Sequence, residues 1–406
     1  MKKVILAVLL LLCIPYVRAQ LVTKEVENDV IEWRHHIHRH PERSFHEVAT
    51  ARYVDSLLTS FGNIEVSHPT PTSVLGVFHG ARPGKTVAFR ADMDALPVQE
   101  ETGLPFASVV PGVSHACGHD AHTAMLLGTA KVLSQKQKDI RGTVYFLFQH
   151  AEEEGTGGAQ EIIKTGALKG VDAFFGMHLL PNYPVGYLGI LPVGAASTSA
   201  DGFFLTINGK GSHGSMPQLG TDPIVTGAEV VTALQTVVSR NVTPGEMAVV
   251  SVGKFQAGDA PNVIPDKAEL AATVRTVSEP TRQLVAARIK TLVDHIVQAN
   301  GATCHLDYKF GYPAIQNDEA LRALARAGAT KALGASQVFD APRMSASEDF
   351  AYYKEVAPTC FMVLGVGDGA ANHSPEFNPD ERALANGVRA EVQIILDYLE
   401  TYAPLI

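Results

Sequence analysis

The chain has 406 residues, 46% of them hydrophobic and 18% charged, a composition that suits a packed globular protein and excludes a disordered one. A formal net charge of -9 excludes the basic surface that nucleic-acid phosphates demand, so no nucleic-acid partner is expected. Lys2 and Lys3 give a basic start, Val4 to Ile14 an apolar run, and Pro15 a break before Val17-Arg18-Ala19. This is the pattern of a secretory signal over 1–19, cut before Gln20. The apolar run is too short to cross a bilayer, so no membrane span is expected, and the protein is predicted to be exported, periplasmic or secreted. Cys13 would leave with the signal. Cys117, Cys304 and Cys360 remain, widely spaced and odd in number, so no disulfide framework is implied.

From Val22 to Phe61 the apolar residues recur at helical spacing, as in Val26, Val30, Trp33 and Ile37. Val87-Ala88-Phe89 and Val144 to Phe148 read as buried strands of a mainly parallel sheet, with a helix over Ala121 to Leu133 between them. A helix after Gly158 and a strand over Ala173 to Met177 continue the alternation. Near Ala195 the character changes. Strand Phe203–Ile207, helix Asp222–Val238, strands Ala248–Phe255 and Lys267–Thr276, helix Thr281–Asn300 and strand Cys304–Lys309 follow in the order of a ferredoxin-like split unit. Strand Phe361–Leu364 and helix Glu381–Tyr402 then resume the first pattern. The predicted fold class is therefore α/β: a mainly parallel-sheet catalytic domain, with helices on both faces, over 20–195 and 310–406. An inserted α+β lid or dimerisation domain occupies 196–309.

The chemistry-bearing residues gather at predicted strand ends. Cys117 and His119 lie two apart in His115-Ala116-Cys117-Gly118-His119-Asp120, where a turn can converge both on one metal, and thiolate with imidazole suits zinc and other borderline ions. Glu152 and Glu153 follow the Val144–Phe148 strand, at the carboxyl edge where active sites of open α/β folds gather. Adjacent carboxylates there repel unless a cation relieves them, leaving one free to act as a general base. His178 follows the Ala173–Met177 strand, and His373 sits in a polar loop beyond Phe361–Leu364. The histidine run from His35 to His40 reads as part of a structural helix, and Ser345-Ala346-Ser347-Glu348 reads as a capping box.

These motifs resemble the aminoacylase and carboxypeptidase type of di-metal amidohydrolases, within them the branch of hippurate hydrolases and plant auxin-conjugate hydrolases. The resemblance runs along nearly the whole mature chain, through Phe89-Arg90-Ala91-Asp92-Met93-Asp94-Ala95-Leu96-Pro97, His115 to Asp120, Ala151-Glu152-Glu153, Gly211-Ser212-His213-Gly214, Asn262-Val263-Ile264-Pro265, Ser347-Glu348-Asp349-Phe350 and Asn372-His373. It implies two divalent metals per subunit, zinc or manganese foremost and cobalt or nickel as alternatives, held by Cys117, His119, Glu153, His178 and His373, with Cys117 the choice for the bridge. It also implies Glu152 as general base, Asp94 as the carboxylate that orients a ligand, and His213 as an oxyanion donor acting in the partner subunit's site. Asn262 would bind the substrate carboxylate, with Arg275 a weaker candidate for that charge. The implied activity is hydrolysis of N-acyl amino acids or similar small amides by metal-activated water, in a homodimer joined through the lid. The alternatives are a dipeptidase or carboxypeptidase of the same two-metal type, a cysteine hydrolase with Cys117 as nucleophile, and a metal-free binding module. Gln218, His150 and Glu154 depart from the residues common in such relatives, and none of them is a predicted ligand.

Overall fold

The structure is a computed structural model that describes residues 21–155 and 157–402; the signal predicted over 1–19 lies outside them. Its larger half is an eight-stranded sheet in the order Ile64–Ser67, Val74–His79, Arg141–Gln149, Arg82–Asp92, Ala173–Leu180, Thr359–Gly365, Leu188–Ile190, Val338–Asp340. Arg82–Asp92 runs parallel to both Arg141–Gln149 and Ala173–Leu180, and Thr359–Gly365 runs parallel to Ala173–Leu180. The outer pairings of Val74–His79 and Leu188–Ile190 with this centre are antiparallel.

Strand alternation feeds two cores. Val87, Phe89, Phe146, Phe175 and Met362 point to one face, where helices Lys24–Arg39, His119–Ser134 and Leu384–Thr401 cover them. Ala88, Leu147, Phe174, Phe361 and Val363 point to the other, under helix Gly158–Thr165 and the 3-10 turns Asp349–Glu355. Burial on both faces is why these strands are apolar throughout instead of alternating.

The inserted unit has its own core, built on Phe203, Leu205, Val230, Leu234, Leu270 and Ile289. Its sheet is antiparallel, in the order Ala248–Ala257, Lys267–Thr276, Asp201–Asn208, Thr303–Lys309. Helices Pro223–Asn241 and Glu279–Ala299 pack on it, capped by the side chains of Asp222 and Ser278. Gly194–Ala195 and Gln316–Asn317 pair where the chain leaves and returns.

The elements unread in the sequence are mostly short. Strands Leu188–Ile190 and Val338–Asp340 span three residues each, too few for a periodicity to register. Val74–His79 is interrupted by Gly76, where a Cβ would meet Ile64 and Leu58 at 3.0 and 3.1 Å. The Ser345–Glu348 segment is not the start of a capping box. Glu348 is itself the cap, accepting from the Phe350 N–H of the following 3-10 turns.

Candidate metal centre

The parallel strands bring their carboxyl ends to one edge, and the predicted donors converge there. Cys117 and His119 flank Gly118, whose φ of +90° starts helix His119–Ser134 in the left-handed region and turns both side chains inward. Ligand atoms of Cys117, His119 and His178 lie within 4.8 Å of one another, as do those of Cys117, Glu153 and His373. Cys117 is common to both triads. Its Sγ stands 3.4 Å from His178 Nε2, and His373 Nε2 stands 3.3 Å from Glu153 Oε1.

Hydrogen bonds fix which ring nitrogens are free. His178 Nδ1 donates to the Leu179 carbonyl at 2.8 Å, and His119 Nδ1 donates to the Asp94 carbonyl at 2.9 Å. Both Nε2 atoms therefore present lone pairs to the cluster. Burial, with His122 nearby, pushes His178 down to about 3, so the ring is neutral, as a ligand must be. Asp94 sits beneath. Its carboxylate accepts from Ser44 Oγ at 2.6 Å and from the Glu153 N–H at 3.0 Å, and approaches His119 Nδ1 at 3.2 Å. Burial works against its charge, but these bonds prevail and hold it below the usual carboxylate range.

The donor set fits divalent cations. His119 Nε2 is buried with no hydrogen-bond partner among the described residues, and Glu153 Oε1 has only its 3.3 Å ion-pair approach to His373 Nε2, an expensive arrangement unless an ion takes up both. Burial and the Glu153 charge push the Cys117 thiol well above its ordinary value. That opposes the nucleophile reading, which needs a depressed pKa, while a cation would draw off the proton. Burial resists a charge on His119, yet Asp92 and Cys117 overcome it and push the ring well upward, a sign of surplus negative charge. Two residues at the site hold left-handed backbone without being glycine: the donor His373, at φ +69°, and Ala151, at φ +50° just before Glu152. Each is fixed by a bond of its own N–H, to the Ala116 carbonyl at 2.7 Å and to Glu47 Oε1 at 2.8 Å, as strained functional backbone requires.

Glu152 shares a group with His119 and Glu153, and lines a cavity of about 350 Å³ together with Cys117, His178 and His373. Burial and the neighbouring Glu348 and Glu153 push its carboxyl well above the ordinary range. Arg275, from lid strand Lys267–Thr276, lines the same cavity. His213 and Asn262 do not. They lie together, exposed, on the lid hairpin in which His213 pairs with Val263 and Gly214 N–H donates to the Asn262 carbonyl at 2.8 Å.

Several residues went unread. His122 Nδ1 binds Asp92 Oδ1 at 2.6 Å, and its Nε2 accepts the Leu179 N–H at 2.9 Å, tying the helix to the strand that carries His178. Its spacing of three from His119 on one helix was the available signal. Arg90 is buried, bonding Asp92, Glu348 and Asp349; an arginine inside an apolar strand was the cue, since a buried charge needs partners. Tyr312 donates its O–H to the Glu152 carbonyl at 2.6 Å. The histidine run is structural in part, His38 being buried between Asp120, at 2.9 Å, and Glu100, at 3.2 Å. Of the departures, Glu154 pairs with Arg43, and His150 with Glu161 at 3.1 Å.

Comparison with known proteins finds similar chains. The profile of Peptidase family M20/M25/M40 matches residues 88–397. An N-acyl-L-amino acid amidohydrolase of Geobacillus stearothermophilus is 51% identical over 73% of this chain and 80% of its own. An N-acetylcysteine deacetylase of Bacillus subtilis is 39% identical over 94% of this chain and 100% of its own. A solved dinuclear metal-binding M20 peptidase of Bacillus subtilis superposes with a TM-score of 0.82 at 37% identity, covering 93% of this chain and 100% of that one.

Proposed function

Because the chain belongs to Peptidase family M20/M25/M40, we propose that Cys117, His119, Glu153, His178 and His373 hold two divalent metal ions, with Glu152 as general base. The chain is a metal-dependent amidohydrolase. The observation that carries the ligand set is the pair of orphaned atoms, His119 Nε2 and Glu153 Oε1, one in each triad around Cys117. Membership of both triads supports Cys117 as a residue that would hold both ions. Two cations there supply Lewis acidity, polarising the amide carbonyl and lowering the pKa of water.

Glu152, in the cavity wall and outside both Cys117 triads, takes a proton from water and hands it to the departing amine nitrogen. Asp94 holds the His119 ring in the tautomer that frees Nε2. On the lid, the Ser215 N–H donates to His213 Nδ1 at 3.1 Å, which leaves the Nε2 proton pointing outward as a donor for the oxyanion. Arg275 and Asn262 receive the substrate carboxylate. His213 and Asn262 stand outside their own chain's cavity, which supports a homodimer in which a second copy's lid supplies them. The substrate class is N-acyl amino acids, and the metal is zinc or manganese, with cobalt or nickel as alternatives. The basic and apolar leader over 1–19 supports export to the periplasm or medium, and no described helix is long and apolar enough to cross a membrane.

Chelation should abolish release of free amine from an N-acyl amino acid, and added Zn²⁺ or Mn²⁺ should restore it. Glu152→Gln should keep two ions by elemental analysis yet lose about 10²- to 10⁴-fold in kcat. Full turnover in that variant would remove Glu152 as base.

A further inference from the structure

A second cavity, of about 210 Å³, adjoins the metal site and shares Leu180, Met344, Ser345 and Ala346 with it. Its remaining wall is apolar. Leu191, Val363 and Ala341 are buried beneath it, and the half-buried Tyr183 closes one side, its ring stacked on Phe339. Arg343 stands at the rim and is engaged elsewhere, its Nε donating to the Ala195 carbonyl at 2.8 Å. Among the described residues no carboxylate lines this pouch, whereas the metal cavity beside it carries Glu152, Glu153 and Glu348.

We propose that this pouch is the acyl subsite, and that it selects a medium-length aliphatic or an aromatic acyl group over acetyl. The inference rests on the amidohydrolase reading above and names its substrate class. Position decides which end of the substrate enters. Leu180 follows His178 by two residues on strand Ala173–Leu180, so both side chains leave the same sheet face. The pouch thus opens directly beside a residue of the donor cluster, where the scissile carbonyl must sit. Among the described residues Arg275 is the one arginine or lysine lining the metal cavity, and it comes from the lid. The carboxylate, and with it the amino acid, is drawn toward that side, and the acyl chain is left to run over Leu180 into the pouch.

Size fixes the class. A dry apolar cavity of roughly 150 Å³ accommodates benzene, so this one takes a phenyl ring or a chain of several methylenes. An acetyl group, with a single methyl to bury, is too small to fill it. Each methylene buried there is worth about fourfold in kcat/KM, from its transfer out of water.

The test uses the metal-loaded full-length enzyme with N-acetyl, N-hexanoyl and N-benzoyl derivatives of one amino acid. The hexanoyl-to-acetyl ratio of kcat/KM should be on the order of a hundredfold, four extra methylenes compounding. Ala346→Trp, which narrows the shared rim, should cut that ratio at least tenfold. Tyr183→Ala, which widens the far end, should shift the optimum to a longer chain, and it keeps the proposal testable should the tryptophan variant not fold. A wild-type ratio near one, or a ratio that neither substitution moves, overturns the acyl subsite while leaving the amidohydrolase reading intact. Failure to cleave any acyl amino acid, acetyl included, would strike that reading instead.

Discussion

Two groups of buried acids meet at Glu152, and the fold answers their charge in different ways. Behind it, Glu348 and Asp349 lie with Glu152 in one group of potential ligands, yet Arg90 already occupies the place a cation would take. Its guanidinium bonds Glu348 Oε1 at 2.9 Å, Asp349 Oδ1 at 2.8 Å and Asp92 Oδ2 at 2.5 Å, and its Nε donates to Gln149 at 2.8 Å. In front, around Cys117, no arginine or lysine among the described residues bonds the donor atoms, Arg275 reaching only the cavity wall, and His119 Nε2 and Glu153 Oε1 are left without a hydrogen bond. Residue type alone does not separate a metal site from an ion-pair cluster. Whether the protein has supplied its own cation does.

The sharpest way to break this contrast is to remove the protein's cation. Arg90→Met leaves Asp92, Glu348 and Asp349 buried without their shared guanidinium, and should cost about 3–5 kcal/mol of stability at neutral pH, read as a fall in the denaturant midpoint. Deprived of the guanidinium, these acids acquire raised folded pKa values. The deficit should therefore be smallest at acid pH, where they are protonated in both states, and should grow as pH rises. A deficit independent of pH would mean that Arg90 contributes packing and not charge.

On the other side of the contrast, Asp94→Asn leaves every proposed ligand in place but takes away the charge behind His119. Metal affinity should fall about 10- to 100-fold, measured by competition with a chromophoric chelator. Unchanged affinity would show that the Asp94 carbonyl, at 2.9 Å from His119 Nδ1, suffices to orient the ring.

How much of this was legible in the sequence follows from the same physics. The central strands were readable because burial on both faces makes them apolar throughout, and the lid because its elements are long and ordered as a split unit. The donors were readable because Cys117, His119 and Glu153 stand in dense local clusters beyond strands. Arg90 was not. Its meaning depends on Glu348 and Asp349, 258 and 259 residues away, and a single chain carries no local trace of such pairing. His213 and Asn262 mark the opposite case. Their motifs stood out, but the structure leaves them exposed on the lid and away from the cavity, and the role proposed for them calls on a second copy.

A third buried acid sharpens the comparison further, because it has neither metal nor guanidinium. Glu391, on helix Leu384–Thr401, is buried against helix His119–Ser134, and its carboxylate accepts from Thr129 Oγ1 at 2.6 Å. Burial pushes its carboxyl up to about 8, the Thr129 bond pulling weakly the other way. The fold here answers the charge with a proton. A folded pKa raised above the unfolded one near 4.5 means that stability is fully present below about pH 4.5 and is lost progressively as pH rises toward 8. Glu391→Gln keeps an acceptor for Thr129 and has nothing to titrate. The variant should match the wild type near pH 4 and exceed it increasingly as pH rises, by at most about 4 kcal/mol near pH 8. Parallel stability curves for the two proteins across that window would mean that Glu391 is ionised when folded, and that a short hydrogen bond can hold a bare carboxylate where Arg90 and the metal donors suggest it cannot.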